Sequence, residues 1–416
     1  MKIKKVFLFL LYVISLDNFY AHDVKQYEKP RILIVHTAPW LGGDGVHTLN
    51  FFKLLKANNY HVDILVAQHG ALRKILELEN YTYFTAPQDL LGLSKSKYNI
   101  DHEAKIIAQI CLKNKISLVH CNYRTEVPIV LKAAKKSQIP TVFTYHLPYN
   151  FDFNEIKGLT GVIFVDDFFA KTVKKSDTQK SLGVGFFESI PPLFNAEKFI
   201  LYPFSHDKLS QDSKKKLAQD FFSKTFNISI NKDPIIAVVG NMYKNMNHKN
   251  YPLLFEALTN IIKIKKKSVN VIIAGDGPSQ KTIKQLVKKL QLKKYVNFLG
   301  FTDKIPDILH HANIVALASS KEAFGIVFLE AGLMKKPAIG AWGTGAEQII
   351  FHEKTGLLFK KDDALDLSNQ IERLLDNQTL AQELGNNAYQ HVIQNFLPSI
   401  TFERIIKFYQ KILPQH

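Results

Sequence analysis

Two glutamates, Glu322 and Glu330, are separated by seven residues in a segment that also contains Phe324 and Gly325. The β-branched run at 314–318 predicts a buried strand, Gly325 predicts a helix start, and Glu330 then falls on that helix. Carboxylates accept hydrogen bonds from hydroxyls, and N–H groups at a helix N-terminus hold phosphates. A nucleotide sugar carries both groups. Two solvated carboxylates on an amphipathic helix are the other interpretation of this pair.

Glycine-rich turns follow the predicted strands on both sides of the two glutamates. The turns are Gly275-Asp276-Gly277-Pro278, Gly343-Thr344-Gly345 and Thr355-Gly356. Their order and spacing resemble the retaining glycosyltransferases of family 4, closely over about residues 235–413 and more loosely over 31–199. The resemblance implies an α/β protein with the GT-B fold. In that fold two Rossmann-like, doubly wound parallel-sheet domains face each other across a cleft.

Length and composition agree with two soluble α/β domains. The chain has 416 residues, of which 46% are hydrophobic, and a formal net charge of +17. The lysine runs that carry this charge are typical of solvated helix faces, and they would also attract anionic lipid or a phosphorylated acceptor. Nucleic acid is disfavoured because no aromatic stacking platform accompanies the lysines. Two cysteines, Cys111 and Cys121, indicate neither a disulfide framework nor a metal site.

The predicted N-terminal leader, residues 1–21, has two interpretations. Lysines precede an apolar run at 6–16, which is too short for the ~20 residues that span a bilayer. This pattern resembles a secretory signal peptide, although Phe19 is poorly suited to a cleavage site before Ala21. Nucleotide sugars are made in the cytosol. We therefore expect a cytoplasmic protein associated with the inner membrane face, with export through the leader as the alternative.

Alternating strand and helix patterns predict two parallel sheets. The predicted strands of the first unit are residues 31–37, 61–67, 81–86, 117–122, 140–146 and 161–165. The predicted domains are an acceptor domain at 30–200, a donor domain at 201–395 and a C-terminal helix at 396–416. The family resemblance implies that this helix crosses back to the first domain.

Glycines and histidines are the site candidates of the first domain. Gly42 and Gly43 lack side chains, so their backbone N–H groups could approach a diphosphate. A tight strand-to-helix turn without a ligand is the alternative. The resemblance implies that His146, at the end of its strand, contacts the donor sugar near the reacting carbon. A purely structural role is the alternative for His146. His120, at the end of the preceding strand, would support the side chain of His146.

The family resemblance also implies roles in the second domain. Glu322 would hold sugar hydroxyls beside the N–H groups of Phe324 and Gly325. The N–H groups of Ile326 and Val327 would meet the distal phosphate, Glu330 the ribose hydroxyls, and Phe301 the base.

One departure from the family pattern concerns the cations that neutralise the donor diphosphate. Gly240 and Asn241 end a predicted strand, and Lys249 opens the next helix. Family members usually carry an arginine at the position of Asn241. Lys244, in an insertion just downstream, is the predicted substitute cation.

These residues predict a retaining glycosyltransferase, moving a hexose-type sugar from a nucleotide diphosphate sugar to a glycan, lipid or other hydroxyl acceptor. The resemblance implies no metal or other cofactor, with the nucleotide sugar as co-substrate. A sugar-nucleotide epimerase of the same fold and a non-catalytic sugar-nucleotide-binding protein are the alternatives. The missing arginine fits the binding protein.

Overall fold

A computed structural model describes residues 29–38, 43–86, 100–146, 156–165, 186–200, 202, 209–242 and 248–413. Gly42, Lys244 and the predicted leader lie outside the described residues. Within them the chain forms two parallel sheets, of seven and six strands. The two sheets confirm the predicted α/β class.

The first sheet is buried on both faces. Its strands are β1 Ile32–His36, β2 Val62–Val66, β3 Phe84–Thr85, β4 Leu118–Cys121, β5 Thr141–Tyr145, β6 Gly161–Phe164 and β7 Phe186–Ser189. They lie in the order β3-β2-β1-β4-β5-β6-β7 with parallel pairing throughout. The order reverses between β1 and β4, the point at which open α/β sheets bind ligands beyond their strand ends. The ends of β1, β4 and β5 are therefore where this domain would hold a ligand.

Helices cover the two faces of the first sheet. They are α1 Gly43–Ala57, α2 Ala71–Leu78, α3 Ile100–Lys113 and α4 Val127–Ser137. Side chains of α1 and α2 pack in one core, and those of α3 and α4 pack in a second core. Helices on both faces define a doubly wound sheet.

The second sheet repeats this architecture. Its strands are β8 Ile235–Val239, β9 Asn270–Ala274, β10 Val296–Gly300, β11 Ile314–Ala316, β12 Ala338–Ala341 and β13 Leu357–Phe359. The helices from here to the C-terminus are α5 Glu197–Ile200, α6 Gln211–Phe226, α7 Tyr251–Thr259, α8 Gln280–Lys289, α9 Ile305–His311, α10 Ile326–Leu333, α11 Ala364–Asp376, α12 Gln378–Asn395 and α13 Pro398–Ile412. The strand order is β10-β9-β8-β11-β12-β13. Its order reverses between β8 and β11, so the loops after these strands are the expected ligand site.

The last helix, α13, packs on the first sheet rather than on the second. Phe408 and Ile412 lie so close to Gly161 of β6 that a Cβ there would come within 2.5 Å of Ile412. Tyr409 places its hydroxyl 2.5 Å from Nδ1 of His120. The last helix of the described chain therefore contacts strands of the first sheet.

Several elements differ from the sequence-based expectations. The predicted strand at 81–86 is only Phe84–Thr85, while β7 and α6 were not predicted at all. Phe194 and Phe199, which precede residue 201, pack in the core of the second domain. The segment that leads into the second domain is therefore already anchored on it.

Candidate functional site

The side chains of Lys249 and Glu322 form an ion pair at the switch point of the second sheet. Lys249 lies after β8, Glu322 lies in the loop between β11 and α10, and Nζ is 2.7 Å from Oε2. Both side chains are mostly buried, with 19% and 13% exposed. A charge-assisted bond of this length is among the stronger polar contacts in proteins. The pair joins the predicted phosphate cation to the predicted sugar-holding carboxylate.

A polar network supports both ends of this pair. Asn250, the residue after Lys249, caps α7 and donates to Ser320 Oγ at 2.7 Å. Ser320 in turn donates to Asp362 Oδ1 at 2.7 Å. The carbonyl of Glu322 accepts a bond from the N–H of Gly345 at 2.7 Å. The two loops that carry the pair are thus tied to each other and to the loops after β12 and β13.

The helix α10 begins directly after this loop, as predicted. Gly325 is its N-cap, with φ +93°, and a Cβ at Gly325 would lie 2.5 Å from the ring of Phe328. A non-glycine residue would be strained there. Gly325 has no side chain with which to cap this end of the helix. The N–H groups of Ile326 and Val327 lie in the first turn, where a helix has no internal acceptors, so they can bind an anion.

Phe324 is buried and packs edge-on against Phe396, at 5.9 Å between ring centroids. Its side chain therefore belongs to the core, and only its backbone is available for the predicted role. Glu330 lies on α10, as predicted, and is half-buried. Burial raises the pKa of its carboxyl to about 8, and the nearby Lys198 of α5 opposes that rise.

The backbone of Gly240 and Asn241 packs against the turn after β9. The N–H of Gly240 donates to Ala274 O at 3.0 Å, and a Cβ at Gly275 would lie 2.1 Å from Gly240 O. This close approach explains the glycine in the predicted Gly-Asp-Gly turn without a ligand. The side chain of Asn241 is exposed.

Phe301 follows β10 and is 86% exposed. An aromatic ring in this position has a free face on which a base could stack, and its role stays a prediction. The second domain thus brings the backbone of Gly240 and Asn241, Lys249, Glu322 and the start of α10 to the loops after β8 and β11.

Histidines occupy the corresponding edge of the first sheet. His146 follows β5, is half-buried, and lies edge-on to His47 of α1 with 5.0 Å between ring centroids. Both ring nitrogens of His120 are bonded, Nδ1 to Tyr409 and Nε2 to Thr144 Oγ1 at 2.6 Å. His120 is therefore a structural residue that joins β4 to β5 and α13. Gly43 is the first residue of α1.

Sequence reasoning missed a buried carboxyl in this domain. Glu126, in a 3₁₀ turn after β4, accepts bonds from the Thr37 N–H at 2.5 Å, the Thr37 hydroxyl at 2.9 Å and the Tyr123 N–H at 3.1 Å. It is fully buried, and burial raises its pKa to about 8 despite these bonds. Glu126 fixes the end of β1 against the loop after β4. The sequence showed only one glutamate before an apolar helix, which carries no such signal.

Two family models match the chain. The model described as glycosyl transferases group 1 matches residues 220–391, and the glycosyltransferase family 4 model matches residues 41–178. The first match contains all six strands of the second sheet and the Lys249–Glu322 site, and the second match contains β2 to β6 of the first sheet. The chain belongs to the family 4 glycosyltransferases.

Individual relatives share part of the chain. N-acetyl-α-D-glucosaminyl L-malate synthase of Bacillus anthracis is 33% identical over 149 residues, which are 36% of this chain and 38% of that protein. An α-1,4-N-acetyl-D-galactosaminyltransferase of Campylobacter jejuni, named for a diphospho-undecaprenol glycan, is 28% identical over 168 residues, 40% of this chain and 45% of that protein. These alignments span less than half of either relative.

Solved structures share the whole fold. A glycosyltransferase of Rickettsia africae superposes with a TM-score of 0.76 and 23% identity, over 94% of this chain and all of that one. The Anabaena HepE protein in complex with UDP-glucose superposes with a TM-score of 0.71 and 19% identity, over 92% of this chain and all of that one. This likeness supports the GT-B fold. In the described part of the chain, every helix is too short or too polar to cross a bilayer.

Proposed function

We propose that this protein is a retaining glycosyltransferase that moves a hexose-type sugar from a nucleotide diphosphate sugar to a hydroxyl of a glycan, lipid or other acceptor. The proposal depends chiefly on the ion pair of Lys249 and Glu322 next to the first turn of α10, whose N-cap is a glycine. The ammonium of Lys249 has further N–H donors beyond the one that Glu322 accepts. The site thus offers positive charge to a diphosphate and a carboxylate to sugar hydroxyls.

In this proposal the donor lies along the start of α10. The N–H groups of Ile326 and Val327 and the ammonium of Lys249 bind the diphosphate. Glu322 accepts from sugar hydroxyls, and Glu330, one turn further along the helix, accepts from the ribose. Phe301 lies by the base. The nearness of Lys249 and Glu322 supports an arrangement in which phosphate and sugar occupy adjacent positions.

The reaction breaks the bond between the anomeric carbon and the distal phosphate oxygen and forms a bond from that carbon to the acceptor oxygen. In front-face attack the acceptor enters on the side from which the phosphate departs, so the anomeric configuration is retained. The departing phosphate oxygen takes the acceptor proton. Lys249 and the helix N-terminus stabilise the negative charge that develops on the diphosphate, which is the electrostatic role that catalysis requires.

Relatives support the kinds of donor and acceptor. HepE was solved with UDP-glucose, and the Campylobacter enzyme is named for a lipid-linked glycan. We infer a nucleotide sugar donor and a glycan or lipid-linked acceptor for this chain. Lys281, Lys284 and Lys288 are exposed on one face of α8, which would favour an anionic membrane surface on the cytosolic side, where the donor is made.

The test is a screen of UDP- and GDP-sugars with lipid-linked and soluble acceptors, read by mass spectrometry, with the anomeric configuration read by NMR. Transfer that Glu322→Gln abolishes, with retained configuration, is the expected result. Conversion of the donor to an epimer without an acceptor would identify an epimerase. Donor binding without any reaction would identify a binding protein, the alternative that Asn241 in place of arginine favours.

A further inference from the structure

Three histidines and one asparagine are among the first-domain side chains with buried hydrogen-bonding atoms that lack partners within the described residues. These atoms are Nε2 of His36, His47 and His146, and both side-chain polar atoms of Asn122. His36, His47 and Asn122 are at most 1% exposed. Because leaving a buried polar group unpaired is costly, native proteins rarely do so without a ligand, a water or a functional reason. We refer to these four residues as the polar cluster.

The bonds of Thr48 fix the tautomer of His36. The Thr48 hydroxyl donates its only proton to the carbonyl of Asp44, at 2.8 Å, because a carbonyl can only accept. Thr48 Oγ1 is also 3.2 Å from Nδ1 of His36, so Nδ1 must be the donor in that contact. Burial lowers the pKa of His36 to about 4, which keeps the ring neutral. Its unpartnered Nε2 is therefore a bare acceptor.

His47 has the opposite tautomer. Its Nδ1 accepts a bond from the backbone N–H of Leu193 at 2.9 Å, so Nδ1 carries no proton. Burial lowers the pKa of His47 to about 3, so this ring is neutral too and its proton is on Nε2. The unpartnered Nε2 of His47 is therefore a donor.

Adjacent strand ends and the helix α1 bring these four residues to one edge of the first sheet. Thr48, which bonds His36, follows His47 directly along α1. Asn122 donates its backbone N–H to Val35, the neighbour of His36, at 3.1 Å. His47 lies edge-on to His146. The polar cluster thus offers an acceptor, a donor and an amide that has both.

We infer that the polar cluster binds a neutral sugar hydroxyl. The hydroxyl oxygen accepts a bond from Nε2 of His47, and the hydroxyl proton is donated to Nε2 of His36. A hydroxyl both gives and accepts one bond, as these two rings require. A phosphate or carboxylate would face the lone pair of His36, and a cation would face the proton of His47. The two possible sources of this hydroxyl, an acceptor or the donor sugar, are those of the proposed function, and this part of the inference rests on it.

The first test observes the ring nitrogens directly. Long-range ¹H–¹⁵N NMR of the full-length protein should show a proton on Nδ1 of His36 and on Nε2 of His47. Methyl α-D-glucopyranoside stands for an acceptor and UDP-glucose for a donor. We expect at least one of them to shift the Nε2 signals of His36 and His47. The signals of His120 should not shift, because both of its ring nitrogens are already bonded. The responding probe identifies the source. The reverse tautomers, or no response to either probe, would mean that only water or a neighbouring segment pairs these atoms, and would overturn the inference.

Two variants separate binding from folding. In His47→Asn the side-chain oxygen can still accept from the Leu193 N–H, but the donor at the position of Nε2 is lost. In His47→Gln the longer side chain places an N–H₂ donor near the position of Nε2. We expect His47→Asn to weaken binding of the responding sugar about tenfold with a near-normal Tm, and His47→Gln to weaken it less. If His47→Gln weakened sugar binding more than His47→Asn and alone had a lowered Tm, His47 would have a structural role and not a binding role. Because binding is read without turnover, failure of this inference is distinct from absence of sugar transfer in the screen.

Discussion

The ammonium of Lys249 and the carboxylate of Glu322 lie 2.7 Å apart although 73 residues separate them in the sequence. Each is the other's partner in the absence of a donor. A nucleotide sugar would take over part of both roles, since its phosphates attract the lysine and its hydroxyls donate to the glutamate. The pair therefore preorganises two groups that would otherwise be desolvated alone at high cost.

Replacing Lys249 by alanine should remove much of the charge stabilisation at the departing phosphate. We expect kcat/KM to fall by about 100-fold or more, in line with the loss of one preorganised donor at developing charge. Lys293→Ala, at an exposed position between α8 and β10, is the matched control for loss of one positive charge. Steady-state kinetics with the donor found in the screen measures both, and equal losses in the two variants would remove Lys249 from the site.

The replacement of the usual arginine by Asn241 leads to a second, independent prediction. If Lys244 is the substitute cation, Lys244→Ala should lower turnover, and its effect should not add to that of Lys249→Ala. Asn241→Arg should then restore turnover of Lys244→Ala at least in part, because Asn241 is exposed at the end of β8. A fully active Lys244→Ala enzyme would show that Lys249 and the helix N-terminus suffice.

The sequence predicted those parts of the fold and site that local patterns determine. The predicted strands at 61–67 and 140–146 match β2 and β5 to within one residue at each end, and Gly325 is the N-cap of α10, because hydrophobic periodicity and helix-start residues are local signals. The strand β7 was missed because its pattern is four residues long. The helix α6 was missed because its lysines and serines resemble a polar linker.

Other parts of the site depend on contacts between distant residues. Glu126 has an ordinary sequence context, and only the fold buries it against Thr37, 89 residues away. The tautomer of His47 likewise depends on Leu193, 146 residues away. Local patterns predict where a strand ends, whereas burial and bonding partners come from the topology that joins the strand ends.

Nucleotide binding should release a proton through Glu330. In the folded protein without a ligand its pKa is about 8, so the carboxyl is mostly protonated at pH 7. Ribose hydroxyls donate to the ionised form and would lower that pKa, so binding at pH 7 should release up to about one proton. Calorimetry of UDP binding in buffers of different ionisation heat measures this number.

Glu330→Gln is the matched control for that experiment, since it keeps the shape and cannot ionise. The release should be smaller in this variant by the contribution of Glu330, and Glu330→Ala should bind UDP at least about tenfold more weakly. Equal proton release in the wild type and Glu330→Gln would contradict the ribose role.

Glu126 should make the stability of the protein fall as the pH rises through neutrality towards 8. Its pKa is 4.5 when exposed and about 8 in the folded protein, so its contribution is full below pH 4.5 and is lost as the pH rises through 8. The buried histidines do the opposite at lower pH, because burial lowers the pKa of His36 from 6.5 to about 4. The contribution of these histidines to the free energy of unfolding is complete above about pH 6.5. Between pH 6.5 and 8 the effect of Glu126 on stability is therefore separate from theirs.

Glu126→Gln tests this prediction, because glutamine keeps the acceptor for Thr37 but presents an N–H₂ group to the N–H of Tyr123. We expect the variant to be about 1–2 kcal/mol less stable at pH 6.5 and to lose less stability than the wild type between pH 6.5 and 8. Urea unfolding at several pH values gives both quantities, and the other titrating groups cancel in the difference between the two proteins. Parallel stability curves would show that Glu126 is already ionised in the folded protein, with its bonds to Thr37 and Tyr123 outweighing its burial.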